Sequence, residues 1–198
     1  LLPDEARRRR ALARRVLDRA ALHGYELVTP PAFEFASVLE RGLGAGDTAD
    51  ILRFVEPESG EVAALRPDVT PQIARIVATR FAQGPRPVRL MYEGTVVRRR
   101  QGRARRHRQI AQAGVELCGL AAPAGDVEVL EVAANALEAA GLGRFVLDLG
   151  HAAIARALLD ALPSTISEDV REGLERKDRA AVEARLAEAG GVAADVAR

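Results

Sequence analysis

The stretch RLMYEGTVVRRRQGRARRHRQIAQAGVELCG, residues 89–119, decides the fold of this chain. Apolar residues dominate its two ends, at 90–97 and at 110–117, and a polar loop that contains Gly102 lies between them. Two β-type segments on either side of such a loop predict an antiparallel hairpin with a long connection. We expect the rest of the chain to be organised around this hairpin.

The connection of the hairpin is strongly basic, because seven of the eleven residues from 98 to 108 are arginine. The planar guanidinium group suits phosphate or carboxylate, so the loop predicts a binding site for a polyanion or a partner. A solvated basic loop is the alternative. A nucleic-acid-binding module is disfavoured, since the loop has no aromatic residue except His107 to stack on bases. Beyond Arg98, the arginines are Arg99, Arg100, Arg103, Arg105, Arg106 and Arg108.

The order of residues around the loop follows a known pattern. It runs through Tyr92, Val97-Arg98, the basic loop, Arg108 to Gln112, and Val115-Glu116. This order resembles motif 2 of class II aminoacyl-tRNA synthetases, and most closely the histidyl-tRNA synthetase family. The separation of Arg98 from Gln112 matches that family without a gap. The pattern is shared by the synthetases and by the synthetase-like regulatory subunits of ATP phosphoribosyltransferase.

The N-terminal segment is typical of a helix, a strand and then a proline. Apolar residues recur at helical spacing in residues 4–23, a strand is predicted at Tyr25–Thr29, and Pro31 stops it. This succession resembles motif 1 of the same family, at about residues 5–34, which implies a homodimer formed through that motif. The resemblance implies an α+β class II synthetase-like core at residues 1–163, with a mostly antiparallel sheet flanked by helices.

Further elements are predicted from turn residues and from apolar periodicity. A hairpin turns around Pro57–Gly60, a helix opens at Thr70, and a peripheral helical segment occupies 164–198. Other helices are predicted at 36–42, at 126–140 and from His151 to about Leu162, and a strand is predicted at Arg144–Gly150. The peripheral segment contains two short predicted helices within 167–189.

The segment LRPDVT at residues 65–70 resembles the family's Leu-Arg-Pro-Glu-x-Thr stretch, whose acid and threonine contact the α-amino group of histidine. A carboxylate suits an ammonium group through a charge-assisted hydrogen bond. On local grounds alone, Asp68 is equally well explained as a helix N-cap. With the motif 2 positions, the resemblance implies a histidine-binding set, which consists of Asp68, Thr70, Arg98, Gln112 and Glu116.

The adenine side of the expected site departs from the family pattern. Arg98 matches the arginine that would polarise the α-phosphate of ATP. However, Arg100 stands where the family has a glutamate that accepts from the adenine amino group, and Ile110 replaces the aromatic residue that stacks on adenine. Both changes weaken ATP binding, so we expect no adenylation, no catalytic residues and no cofactor.

A kept amino-acid pocket beside a damaged adenine site favours a regulatory subunit over a synthetase. The resemblance then implies assembly with the short catalytic subunit of ATP phosphoribosyltransferase in histidine biosynthesis, activation of that subunit, and feedback by L-histidine. A catalytic-domain fragment of histidyl-tRNA synthetase is the alternative.

Composition argues against a disulfide-bonded protein and against a metal site. The chain has 198 residues, 48% of them hydrophobic, and a formal net charge of +1. The lone Cys118 lies in an apolar strand and supports neither a disulfide nor a zinc site. Asp126, Glu128 and Glu131 begin a predicted helix, where acids are favourable without any metal. No signal peptide is visible, so a cytoplasmic location is expected. Because the chain starts without Met, we expect a piece of a longer protein.

Overall fold

The computed structural model describes residues 2–42, 51–98 and 109–188. They belong to two compact units, residues 1–145 and residues 146–198. The core predicted from the sequence extends further, to residue 163, and that division stays a prediction. Each unit is described by itself below.

The first unit contains most of the secondary structure of the chain. Its helices are α1 (Pro3–Leu22), α2 (Ala36–Arg41), α3 (Thr70–Arg80) and α4 (Ala124–Ala139). Its strands are β1 (Glu26–Leu27), β2 (Phe33–Phe35), β3 (Leu52–Val55), β4 (Val62–Leu65), β5 (Val88–Val97) and β6 (Gln109–Cys118).

The hairpin predicted from residues 89–119 is confirmed. Strands β5 and β6 pair antiparallel over their full lengths, from Val88 opposite Cys118 to Val97 opposite Gln109. Strand β1 pairs parallel with the other edge of β5, so this sheet has the order β1-β5-β6. The mostly antiparallel α+β class is therefore confirmed.

The two faces of this hairpin pack against different helices because successive side chains alternate along each strand. The inner face carries Leu90, Tyr92 and Val96, which pack with Ile73 and Val77 of α3. The outer face carries Met91, Val115 and Leu117. It packs with Leu17 and Ala20 of α1, with Val132 of α4, and with Tyr25, which precedes β1. The core of the first unit therefore forms two layers of helix around one sheet.

A second, smaller sheet has the antiparallel order β2-β4-β3. Its β3–β4 hairpin turns where the sequence predicts, around Pro57–Gly60. The Glu56 carboxylate accepts hydrogen bonds from the backbone N–H groups of Glu58 and Ser59, and Gly60 takes a positive φ of 73°. Helix α2 covers one face of this sheet, where Ala36 and Leu39 pack with Ala64.

Helix α3 begins one residue later than an Asp68 N-cap would require. The N-cap position belongs to Val69, and Pro71 lies in the first turn, where a missing backbone N–H costs nothing. The Asp68 carboxylate still accepts from the backbone N–H of Thr70, at 3.0 Å. Asp68 therefore makes the predicted hydrogen bond to the start of the helix, although the N-cap position itself is Val69.

The second unit contains α5 (Ala152–Asp160), α6 (Ser164–Glu175) and α7 (Arg179–Glu188). Leu159, Leu162, Val170 and Leu186 form its small core. His151 caps α5, because its Nδ1 accepts from the backbone N–H of Ala153 at 3.2 Å. Helices were predicted at these places, although α6 begins slightly earlier than expected.

The strand predicted at Arg144–Gly150 is wrong for the described structure. These residues take no regular secondary structure, and the Val146 side chain is 91% exposed. The apolar and β-branched content suggested a strand, but a strand forms only where neighbouring backbone groups accept its hydrogen bonds. No strand of the described residues pairs with this segment. Among the described helices, none is long and apolar enough to cross a membrane.

Candidate functional site

The structure brings the five residues of the predicted histidine-binding set together on the inner face of the hairpin. Asp68 and Thr70 lie at the start of α3, Arg98 follows β5, and Gln112 and Glu116 lie on β6. The Asp68 carboxylate accepts from Arg98 Nη2 and from Gln112 Nε2, each at 3.3 Å. Thr70 Oγ1 donates to Glu116 Oε1 at 2.5 Å. We refer to these five residues as the inner-face site.

The strand register explains why Gln112 and Glu116 share this face. Gln112 lies opposite Gly94 and Glu116 lies opposite Leu90, with Tyr92 opposite Gly114 between them. A Cβ on residue 114 would approach the Tyr92 hydroxyl oxygen to 2.7 Å. Glycine at this position therefore gives the buried tyrosine its space between the two polar side chains.

Glu116 lies in an unfavourable environment for a negative charge. Burial raises the pKa of its carboxyl group above the ordinary value, the hydrogen bond from Thr70 lowers it, and the nearby charge of Asp68 raises it again. Burial likewise raises the pKa of Tyr92, and the charge of Glu116 adds to that effect. The site thus has two carboxylates close together, joined through Thr70, and it favours a positively charged ligand.

Arg98 neutralises only part of this charge. Its Nε donates to the backbone oxygen of Pro67 at 2.8 Å, and its Nη2 reaches Asp68. One guanidinium group therefore faces two carboxylates among the described residues.

Gln112 leaves one strong acceptor without a partner. Its Nε2 donates to Asp68, but its Oε1 is buried and accepts no hydrogen bond from any described residue. Buried amide oxygens are nearly always hydrogen-bonded in folded proteins, so an unpaired one calls for a donor. Together with the carboxylates of Asp68 and Glu116, this oxygen forms a group of acceptors that suits a donor of several hydrogen bonds.

Arg66 supports the inner-face site and was missed by the sequence analysis. Its side chain is only 6% exposed, and its guanidinium group donates to the backbone oxygens of Pro30, Pro31 and Thr95 at 2.9, 3.1 and 2.9 Å. Its own backbone oxygen accepts from Val97 N–H at 2.9 Å. These bonds join the proline loop after β1 to the end of β5 from which Arg98 projects.

Gly94 is required by this arrangement. A Cβ on residue 94 would lie 2.2 Å from Arg66 Nη2, closer than any real contact. Burial lowers the pKa of Arg66, and no carboxylate of the described residues hydrogen-bonds to it. A charged residue between the apolar Leu65 and Pro67 was the one sequence signal that could have indicated this role.

The outer face of the same hairpin carries a second polar group, which is fully paired. Arg89 Nε and Nη2 donate to the two carboxylate oxygens of Glu128, each at 2.7 Å, and the Tyr25 hydroxyl donates to Oε1 at 3.1 Å. The hydrogen bonds from Arg89 lower the pKa of Glu128, whereas burial and Glu128 raise the pKa of Tyr25 to about 12. This closed group, which we call the outer-face triad, ties α4 to the sheet.

The remaining predicted site residues have different outcomes. Ile110 packs against the inner-face core and offers no aromatic surface, as the sequence implied. The anion or partner loop cannot be compared with the structure, because its six arginines lie outside the described residues. These are Arg99, Arg100, Arg103, Arg105, Arg106 and Arg108.

Comparisons with known proteins agree on the kind of protein that this chain resembles. A family model described as histidyl-tRNA synthetase matches residues 1–198. The ATP phosphoribosyltransferase regulatory subunit of Anaeromyxobacter sp. (strain K) is 44% identical over 98% of this chain and 56% of that protein. The regulatory subunit of the same name from Moorella thermoacetica is 40% identical over 92% of this chain and 47% of that protein.

Two solved structures share the fold. One is described as an ATP phosphoribosyltransferase regulatory subunit/histidyl-tRNA synthetase from Bacillus halodurans; it has a TM-score of 0.86 and 25% identity, over 96% of this chain and 49% of that one. The other is a histidine–tRNA ligase subunit from Alicyclobacillus acidocaldarius, with a TM-score of 0.80 and 32% identity, over 96% of this chain and 56% of that one. The chain spans about half the length of the relatives that it matches.

Proposed function

Because the chain belongs to the histidyl-tRNA synthetase family, we propose that it is part of a regulatory subunit of ATP phosphoribosyltransferase. The observation that carries this proposal is the 44% identity, over 98% of the chain, to a protein of that name. In this role the full-length protein binds the short catalytic subunit, activates it in the first step of histidine biosynthesis and mediates feedback by histidine.

Residues on the adenine side support a non-catalytic role. Adenylation depends on electrostatic stabilisation of a nucleotide held in a fixed position. Arg100 offers donors where an acceptor for the adenine amino group is required, and Ile110 packs into the core without a π face. These two positions therefore support the proposal of a synthetase-like fold that does not adenylate histidine.

The inner-face site supports histidine as the regulatory ligand. The α-ammonium group and the imidazole N–H of histidine donate hydrogen bonds, and the site offers Asp68, Glu116 and the unpaired oxygen of Gln112 as acceptors. The carboxylate of histidine suits Arg98. Histidine can regulate the enzyme only if it binds one assembly state more tightly than another.

A homodimer formed through α1 and β1 is the second part of the proposal, since the motif 1 resemblance implies it. Strand β1 lies at the edge of its sheet, and its residues Glu26 and Leu27 are exposed. An exposed edge strand preceded by a long helix is a suitable surface for a second subunit.

The decisive experiment measures phosphoribosyl-ATP formation. The short catalytic subunit from the same source is assayed alone, with the full-length protein, and with the full-length protein plus histidine. We expect strong activation that histidine reverses. A Gln112→Ala variant should still activate, but histidine should no longer reverse the activation. Absence of activation, together with ATP–pyrophosphate exchange by the full-length protein, would instead identify a histidyl-tRNA synthetase.

Calorimetry tests the ligand separately. Histidine titrated into the full-length protein should bind, whereas histidinol, which keeps the ammonium and imidazole groups but lacks the carboxylate, should bind more weakly. Absence of heat at millimolar histidine would remove the ligand from the proposal and leave the regulatory role to the activation assay.

A further inference from the structure

Tyr92 begins the motif 2 order in the sequence, yet it is not one of the five residues of the inner-face site. It lies on β5, is only 4% exposed, and packs in the core with Leu90 and Val96. The end of its ring lies over Gly114 of β6, where a Cβ would meet the hydroxyl oxygen at 2.7 Å. The phenol group therefore reaches from the apolar core to the polar side chains of the site.

The Tyr92 hydroxyl is joined to Glu116 through Thr70. A side-chain hydrogen bond connects Tyr92 with Thr70. The Thr70 hydroxyl in turn donates to Glu116 Oε1 at 2.5 Å. A threonine hydroxyl has a single hydrogen, so while it donates to Glu116 it can only accept from Tyr92. The three side chains therefore form a chain of hydrogen bonds from the phenol to the carboxylate, which we call the Tyr92 relay.

The direction of the Tyr92 relay favours the ionised form of Glu116. Burial raises the pKa of Tyr92, the charge of Glu116 raises it further, and the hydrogen bond with Thr70 offsets only part of this, so the phenol keeps its hydrogen. If a protonated Glu116 donated to Thr70, the Thr70 hydroxyl would turn towards Tyr92, and the phenol would lose its acceptor. A buried donor without an acceptor is costly. The relay thus opposes the effect of burial, which raises the pKa of Glu116.

No other described residue donates a hydrogen bond to the Glu116 carboxylate. Of the nearby charges, Asp68 raises the pKa of Glu116, and Arg98 is paired with Asp68. The other charged or titratable groups on the elements around the relay are Arg66, Arg86 and Cys118. The hydroxyl of Thr70 is therefore the one described donor to this carboxylate, and its direction depends on Tyr92.

We propose that Tyr92 is a positioning residue, which holds the Thr70 hydroxyl as a donor to Glu116 and so keeps Glu116 an acceptor for bound histidine. Because Oε1 accepts from Thr70, the other carboxylate oxygen is left for the ligand. This inference rests on the histidine ligand proposed above and deepens it, since the relay sets the pH range in which the site binds histidine.

The pH dependence of histidine affinity tests the proposal in the full-length protein. Calorimetry measures the dissociation constant from pH 8 to pH 5 for the unsubstituted protein and for Tyr92→Phe, which keeps the ring and loses the hydroxyl. The ratio of the two constants at each pH cancels the titration of histidine itself. We expect a ratio within about threefold at pH 8 that rises to roughly five- to tenfold at pH 5, because Glu116 protonates more readily without the relay.

Two further variants serve as controls. Tyr25 is as buried as Tyr92, at 3% exposure, and its hydroxyl donates to Glu128 on the outer face. Tyr25→Phe therefore removes a matched hydroxyl, and its ratio should stay constant across the pH range. In a Thr70→Val background the relay is already broken, so adding Tyr92→Phe should produce no further pH dependence.

Each outcome bears on the proposal. A constant ratio for Tyr92→Phe, or an equal rise for Tyr25→Phe, overturns it and leaves Tyr92 as a packing residue. Additive effects of Tyr92→Phe and Thr70→Val overturn it as well. Absence of histidine binding by the unsubstituted protein overturns the histidine ligand and this inference together, whereas the activation assay tests the regulatory role separately.

A fluorinated tyrosine at position 92 covers the case in which Tyr92→Phe impairs folding. 3-Fluorotyrosine keeps the ring and the hydroxyl, and its more acidic phenol is a stronger donor to Thr70. Glu116 should then stay ionised to a lower pH, so histidine affinity should persist to a lower pH than in the unsubstituted protein. An unchanged pH profile, or a change in the opposite direction, overturns the proposal.

Discussion

Two glutamates on opposite faces of one hairpin behave in opposite ways. On the outer face, Glu128 receives Arg89 on both oxygens and Tyr25 on one of them, and its pKa falls. On the inner face, Glu116 receives a hydrogen bond from Thr70, lies near the charge of Asp68 and has a raised pKa. Glu116 lies on β6, where burial is the main cause of its raised pKa, whereas Glu128 lies on α4, where the hydrogen bonds from Arg89 outweigh the effect of burial.

This difference separates a structural group from the group of residues that we propose as a binding site. All the hydrogen bonds that the outer-face triad needs come from its own members, and a ligand would have to break them. The inner-face site contains two carboxylates, one guanidinium group and a buried amide oxygen that accepts nothing from the described residues. Incomplete pairing costs stability in the free protein and is recovered only when a suitable ligand binds.

The largest expected effect comes from removing Arg66, which would loosen the inner face and leave the outer-face triad intact. In Arg66→Met, the oxygens of Pro30, Pro31 and Thr95 lose their donor, and buried acceptors without donors are costly. We expect the free energy of unfolding to fall by about 3 kcal/mol. Urea denaturation measures it, and Arg80→Met, at an exposed position of α3, is the control.

Asp68 provides the next test, because it accepts from Arg98, from Gln112 and from the start of α3. Asp68→Asn keeps the shape of the side chain and removes its charge. Histidine affinity should fall roughly 10- to 100-fold, as expected for the loss of a charge-assisted hydrogen bond to an ammonium group. Calorimetry measures it. Glu93→Gln, an exposed position on the outer face, should bind histidine normally; equal loss in both variants would place the ligand elsewhere.

A substitution in the outer-face triad should lower stability and leave histidine affinity unchanged. Glu128→Gln removes the charge that Arg89 and Tyr25 share, and the free energy of unfolding should fall by about 1 kcal/mol, the net value of a typical hydrogen bond. Histidine affinity should stay unchanged. Loss of histidine binding in this variant would show that the two faces are coupled, and the contrast between them would fail.

The smallest effect lies in the pH dependence of stability. The folded pKa of Glu128 lies below its ordinary value of 4.5, so its stabilising contribution is present above that pH and is lost as the pH falls. The folded pKa of Glu116 lies above 4.5, so its charge costs stability at neutral pH, and the cost disappears as the pH falls. Hence Glu116→Gln should raise the melting temperature at pH 7 by roughly 2–4 °C. Glu128→Gln should lower it.

Thermal scans of both variants from pH 7 to about pH 3 test these signs, because the contribution of Glu128 is lost only below pH 4.5. The difference between each variant and the unsubstituted protein should shrink towards the acid end. A Glu116→Gln variant that is less stable at pH 7 would mean that the carboxylate is satisfied in the free protein, and the inner-face site would then resemble the outer-face triad.

The sequence predicted the inner-face site better than its surroundings. Spacing along β6 was enough to place Gln112 and Glu116 on one face, because side-chain alternation is a local property. The meeting of Arg66 with Gly94 could not be predicted, since it depends on how the end of β4 packs on β5. Glu128 was explained as an acid in the first turn of a helix, and its partner Arg89 lies on another element.

The segment Arg144–Gly150 shows that composition alone does not predict whether a strand forms. Its composition favours a strand, but the strand that we predicted there is absent from the described structure. A strand nevertheless needs a neighbour to accept its backbone hydrogen bonds, and none of the described strands does so. Local chemistry therefore predicted elements and site residues, whereas pairing between distant segments had to come from the structure.

Cys118 offers an intrinsic test of ligand binding at the proposed inner-face site. It is the single cysteine of these 198 residues, and it lies two positions after Glu116 on the inner face of β6. Burial raises the pKa of its thiol, the charge of Glu116 raises it further, and Arg86 lowers it. A cation bound beside Glu116 would offset that charge and increase the thiolate fraction, which is the reactive form. We therefore expect the rate of thiol alkylation to rise when the proposed ligand is added, without any introduced label.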